Sequence, residues 1–402
     1  MNTMLRGRLA RGLMLLACTL AWVGCATPPP QATVVRDELP FEQAIDQATT
    51  GLVAQTQRLP QLLARVESRL IKRPLMVDPM FDAVSGQQTN ATQLLETRVA
   101  QHLARKSEAL EMLPFQHSQL QNAVYVLTGT MTRQRPGDPR SPLQINLALT
   151  DLKSGQVVAQ ASALARDEGL DHTPLRYYQD SPVLVKDPIV DGYVRTTATP
   201  PGGQADRTYL ERLGVATVIQ QASALYNAER HPESLARYRE ASAMSGGDQL
   251  RTLNGIYLNH IKLGQTAEAE RTFGQIVAYG LKLNRLDVKI LFAPGSTQFW
   301  PDPKINSVYP MWLRQIAREI ADAKVCMRIV VHTSRTGSEQ TDDALSLQRA
   351  VSIQQRLAAE APVLAQRSKA DGVGWRENLI GSGSDNIVDA LDRRVEFRVE
   401  GC

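Results

Sequence analysis

The stretch VHTSRTGSEQTDDALSLQRA, residues 331–350, holds several side chains able to do chemistry, in a run that leaves an apolar strand end, crosses a polar loop and enters a helix. His332, Ser338 and the nearby aspartates have the residue types of a nucleophilic triad. The loop, however, lacks the tight turn that presents a nucleophile. The chain also carries no His-Glu-x-x-His, no Walker glycine loop and no clustered Cys and His, so no metal or other cofactor is expected and the protein reads as non-enzymatic. What the stretch does offer is charge of both signs. Asp342 precedes Arg349 by seven residues, two helical turns, which puts both on one helix face. Asp342 could supply an anion beside the Arg349 cation, or it could merely favour the helix dipole from the first turn. Arg349 could equally be an ordinary solvated arginine.

The elements that must position these residues are legible around them. Periodicity predicts strands over 288–292 and 327–332, helices over 308–323 and 342–359, and closing strands over 378–381 and 394–399. The order is βαβαββ. With "KILFAPGSTQFW" at the first strand, His332-Thr333 and Gly337-Ser338 in the loop, "LSLQRA" on the helix and "DRRVEFRV" at the end, residues 284–402 resemble the C-terminal domain of outer-membrane protein A. That resemblance implies noncovalent binding of peptidoglycan. The diaminopimelate of a stem peptide presents an ammonium and a carboxylate together, so its receptor needs a cation and an anion at fixed separation. In the resembling family the cation is the helix arginine, here Arg349, whose planar fork can take a carboxylate through two hydrogen bonds. The family's anion follows His-Thr, and here that position, next to Thr333, is Ser334.

Three readings of Ser334 follow. Asp342 substitutes as the anion; or Ser334 makes only a neutral hydrogen bond and affinity falls, charge-assisted bonds being roughly twice as strong; or the fold is kept for a protein partner. Arg393, by resemblance, lies beside the pocket, or else pairs along its strand with Asp392 or Glu396. Asp392 itself departs from the family, where Asn is usual.

Upstream, residues 36–170 alternate helix and strand signals and predict an α/β sandwich, with a hairpin turning at Ser154-Gly155. The succession "LMVDPMFDAVSGQQTNATQLLETRVAQHL", "NAVYVLTGTM" and "LQINLALTDLKSGQVVAQ" resembles the periplasmic fold of CsgG, FlgO and LpoB, which implies a protein-binding module. Residues 171–207, rich in proline and weak in periodicity, read as a linker or an irregular excursion. Residues 208–283 carry two similar stretches in which Ser234 matches Ala269 and Tyr238 matches Phe273, about 35 residues apart. They resemble tetratricopeptide (TPR) hairpins, which implies either a peptide groove or a plain helical spacer. The expected fold class is thus multidomain α+β.

The N-terminus sets the compartment. Arg6, Arg8 and Arg11 precede an apolar run over 13–23 that ends at Gly24-Cys25, an export signal too short for a comfortable permanent span. It resembles a bacterial lipoprotein precursor, implying a signal over 1–24, lipidation of Cys25 and a proline-bearing tether over 25–35; Ala26 fits outer-membrane retention. Removing the signal's three arginines lowers the formal charge from +4 to about +1, and no basic stripe suggests nucleic acid. Cys326 and Cys402 are left for an oxidising compartment, as a disulfide or as two separate thiols. The expectation is an outer-membrane lipoprotein facing the periplasm, with peptidoglycan, the membrane and envelope proteins as partners. Its alternative is an interaction scaffold, accessory to a secretion or surface-assembly machine, that no longer binds glycan.

Overall fold

The chain was analysed as a computed structural model, which describes residues 37–57, 72–135, 138 and 140–402. The expected signal, the tether and the lipidation residue Cys25 lie outside the described residues.

The first sheet has seven strands: β1 (Glu38–Leu39), β2 (Arg73–Val77), β3 (Phe81–Asp82), β4 (Leu110–Leu113), β5 (Tyr125–Arg133), β6 (Leu143–Asp151) and β7 (Val157–Ala165). Their order is β1-β7-β6-β5-β2-β4, with β3 alongside β5. Strands β5, β6 and β7 form an antiparallel meander, while β2 joins β5 and β4 in parallel. The β6–β7 turn falls where the sequence places it: Asp151 Oδ1 accepts the Lys153 and Ser154 N–H groups, and Gly155 takes a φ of 71° that other residues rarely adopt. Helices α1 (Phe41–Thr56) and α2 (Asn90–Lys106) cover one face. The buried apolar residues of α2, Ala91, Leu95, Val99 and Leu103, recur every four positions, as a one-faced helix requires. Its start is fixed by Thr89 and Thr92, which cap each other's backbone.

The tract over 171–207 corrects the linker reading. It carries α3 (Arg176–Asp180) and α4 (Pro188–Ala198), and α4 packs on β5, β6 and β7, closing the sheet's second face. Helix α4 begins with Asp187, whose carboxylate accepts from Ile189 and Val190 N–H, followed by Pro188 at the first helical position. Tyr193 fastens it down, its hydroxyl bonded to both N–H and C=O of Gly129 in β5. A proline that signals a loop here signals a helix start, so the sandwich becomes three layers.

After α5 (Arg207–Glu211), two antiparallel pairs follow, α6 (Leu213–Asn227) with α7 (His231–Ala243) and α8 (Leu250–Lys262) with α9 (Thr266–Lys282). The matched residues Ser234, Tyr238, Ala269 and Phe273 are all fully buried. These pairs hold the chain's own residues 177–183. Tyr177 donates from its N–H to Asn227 Oδ1 (2.9 Å) and from its hydroxyl to Arg251 O (2.7 Å), and Ser181 Oγ donates to Asn254 Oδ1 (3.0 Å). Tyr177 also stacks on Tyr238, ring centres 6.0 Å apart.

The last section contains β8 (Arg285–Val288), α10 (Pro303–Asn306), α11 (Tyr309–Ala323), β9 (Cys326–His332), α12 (Glu339–Glu360), α13 (Leu364–Arg367), β10 (Ser368–Gly374) and β11 (Val395–Glu400). The sheet order is β10-β9-β11-β8, with β10 parallel to β9 and β11 antiparallel to both neighbours. The βαβαββ order is therefore present, with two strands displaced from their expected places. The first ends at Val288, because beyond it Phe292 bridges Phe299 in a turn of its own. The expected strand over 378–381 is irregular; its place in the sheet is taken by 368–374, whose glycines lower its strand signal. Gly372 is needed there, since a Cβ would lie 2.2 Å from Leu347 N in α12.

This section is not hung on a flexible arm. Val288 bridges Val183, Lys289 donates its ammonium to the Tyr178 and Gln179 carbonyls (2.9 Å each), and Trp312 Nε1 donates to Tyr257 OH (2.7 Å) while stacking on Phe273. One continuous core runs from Phe81 and Tyr193 through the helices to Ile329 and Phe397. Cys326 and Cys402 are joined as a disulfide, with Cα atoms 5.1 Å apart.

Candidate ligand-binding site

Between the end of β9, the start of α12 and the loop after β8 lies a cavity of about 290 Å³. Thr333, Ser334, Asp342, Arg349 and Arg393 all line it, so the fold brings together the five residues singled out in the sequence. Phe292, Trp300 and Ile387 supply apolar wall.

Arg349 is not a solvated helix residue. It is 7% exposed, its Nε donates to Ser296 O (2.9 Å) and one terminal nitrogen to Ala293 O (3.1 Å), and its guanidinium lies 4.9 Å from the Phe292 ring centre. Both acceptors are neutral carbonyls, and none of the ion pairs among the described residues includes Arg349. Burial pulls its pKa below the usual arginine value, an effect that Asp385 opposes first and Asp342 second. A buried guanidinium without a carboxylate is costly unless a ligand answers it.

Asp342 is 4% exposed and accepts the Gly337 N–H at 3.1 Å. Burial raises its pKa, with the Gly337 bond and Arg349 opposing. Gly337 permits this approach, since a Cβ there would stand 3.0 Å from Asp342 Oδ1. The helix start itself is capped by Ser338, whose oxygen accepts Thr341 N–H. Ser338 is thus engaged structurally, and His332, which also lines the cavity, has its Nε2 on Glu396 Oε2 at 3.2 Å. His332, Glu377 and Glu396 converge within 4.8 Å, a spacing that could hold a cation. Glu396, however, is already answered by Arg285 and Arg398 at 2.8 Å each. Although burial works against it, those cations and the His332 bond hold its carboxyl far below the usual range.

Thr333 is 3% exposed and its Oγ1 has no hydrogen-bond partner among the described residues. Arg393 forms neither of the pairings expected along its strand; it pairs with Asp385 and, at 3.5 Å, with Asp389, and donates to Asn386 O. Asp392 supports this loop from beneath, accepting the N–H groups of Leu379, Ile380 and Gly381 at 2.7–2.9 Å. The three N–H donors fall on both oxygens, which a carboxylate accepts and an amide, with one oxygen, would not. Burial raises its pKa against those three bonds.

Asp385 was not among the sequence candidates. It lines the same cavity, and Ser334 Oγ donates to its Oδ1 at 3.0 Å. Fifty-one positions separate the two, and the only local signal is an aspartate in the glycine- and serine-rich run GSGSDN.

No family model matches the sequence, and no curated protein does. Solved structures resemble part of it. A MotB-like protein from Desulfovibrio vulgaris is 19% identical, the match covering 34% of this chain and 96% of that one at a TM-score of 0.25. The cell wall anchor of the T6SS from Pseudomonas aeruginosa is 21% identical over 29% of this chain and 81% of its own, TM-score 0.23. The OmpA-like domain of FopA1 from Francisella tularensis is 14% identical over 29% and 75%, TM-score 0.22.

Proposed function

We propose that this chain is a non-enzymatic cell-envelope protein that holds peptidoglycan noncovalently in the cavity at Arg349. The observation that carries the reading is the Arg349 guanidinium, buried, held rigid by two carbonyls and aromatic contact, and lacking an ion-paired carboxylate among the described residues. A stem-peptide carboxylate completes it through charge-assisted bonds that a planar fork is shaped to give. Thr333 Oγ1 adds a donor without a prior commitment. On the same reading the chain is exported, lipidated at Cys25 and retained at the outer membrane facing the periplasm, and its upstream layers engage other envelope proteins.

Cosedimentation of the intact chain with diaminopimelate-type sacculi tests the site. The native chain pellets and Arg349→Ala stays in solution, with at least a tenfold loss of affinity. Equal pelleting of the two would refute this use of the cavity and favour the scaffold reading.

A further inference from the structure

We infer that Asp385 supplies the site's anion from the distant loop, so that the cavity recognises an ammonium and a carboxylate borne on the same carbon, with Arg349 taking the carboxylate. This deepens the wall-binding reading and rests on it. At position 334 the chain has a hydroxyl, and that hydroxyl is spent orienting another residue's carboxylate: Ser334 donates to Asp385 Oδ1. Arg393 donates to the same oxygen. Both bonds fall on Oδ1, while Oδ2 has no hydrogen bond among the described residues and the side chain is 47% exposed. An acceptor fixed on one edge and open on the other suits an incoming N–H donor.

Asp342, the nearer choice in sequence, is less suited. It is enclosed, and its Oδ2 is bound to the loop backbone at Gly337. Asp385 also acts on Arg349 more strongly than Asp342 does, as a carboxylate of the same binding site should.

The loop is built to present this residue. Asp385 has a φ of 52°, a conformation uncommon outside glycine, and its N–H is held by Asp389 Oδ2 at 2.9 Å. Asp389 is fully buried and also accepts from Ser382 Oγ. The independent sign of a missing ligand is Thr333, whose buried hydroxyl has no partner among the described residues and lines the same space.

The test is competition. Intact chain is bound to diaminopimelate-type sacculi and displaced by free meso-diaminopimelate or by pimelate, the same carbon chain without amino groups. For Asp385→Asn, displacement by diaminopimelate weakens at least tenfold while displacement by pimelate changes less than twofold. Adding Ser334→Asp to Asp385→Asn restores the preference for diaminopimelate, which a merely misfolded loop would not allow. If Asp385→Asn competes like the native chain while Arg349→Ala has lost sacculus binding, the wall-binding reading stands and the role given to Asp385 is overturned. If the native chain does not pellet at all, the wall-binding reading falls, and this inference with it.

Discussion

Asp78 gives the sharpest test of how the upstream layers are held together. It is 3% exposed, and its Oδ2 accepts from Tyr209 OH at 2.6 Å, where α5 meets the first sheet. Burial drives its pKa from the ordinary 3.8 to about 7, with Tyr209 and Arg251 opposing. Each pH unit of that interval is worth about 1.4 kcal/mol, so the whole carries about 4 kcal/mol. The sign follows from proton counting. Between pH 4 and 7 the folded chain keeps the proton and the unfolded chain loses it, so stability is greatest below pH 4 and declines as pH rises to 7. Asp78→Asn mimics the protonated acid at every pH. It should lower stability at pH 4 by about 1 kcal/mol, for an amide N–H left without a partner, and raise it at pH 8 by about 3 kcal/mol, the ionisation cost of about 4 less that same penalty. Urea denaturation of both chains at pH 4, 6 and 8, followed by tryptophan fluorescence, reads this directly. The reasoning fails if Asp78→Asn is less stable than the native chain at pH 8. That outcome would mean an ionised Asp78 paired with Arg251, whose rupture costs about 3–5 kcal/mol.

Other outcomes are equally specific. Reducing the Cys326–Cys402 disulfide releases a loop of sequence separation 76, and a chain-entropy account gives a loss of about 4 kcal/mol in the last section, visible as a lower urea midpoint with dithiothreitol. Gly255→Ala improves helix propensity by about 1 kcal/mol, yet its methyl would sit 2.2–2.4 Å from the Tyr238 ring, so the variant should be destabilised by about 1–3 kcal/mol in thermal melts. At the cavity, Arg349→Ala should abolish sacculus pelleting and Asp385→Asn should remove only the preference for an amino-bearing competitor.

What could be read in advance was whatever is local. The β6–β7 turn, the two helical pairs and the βαβαββ order follow from periodicity and turn chemistry within short windows. Asp342 and Arg349 fall together for the same reason, one helix face, whereas Thr333 and Ser334 are placed beside them by the resemblance and not by periodicity. Asp385 was not legible because its relation to Ser334 spans 51 residues of irregular chain. The tract over 171–207 misled for a related reason. Pro188 satisfies a turn rule and a helix-start rule equally, and only its position above β5–β7 decides between them. Glycine hid β10 in the same way, since the demand at Gly372 comes from α12, not from neighbouring residues.

The place of β11 has a consequence for biogenesis. It lies between β9 and β8, yet Val395 is made roughly a hundred residues after its partner Val288. At synthesis rates on the order of 5–20 residues per second, β8 waits on the order of 5–20 s for the neighbour that completes its ladder. The bridge from Val288 to Val183, already synthesised, gives it a resting place in the interval. Segment 182–184 covers the edge of β8 opposite the one β11 takes, so the strand is hydrogen-bonded on one side before its second neighbour is made, and it keeps both in the finished fold.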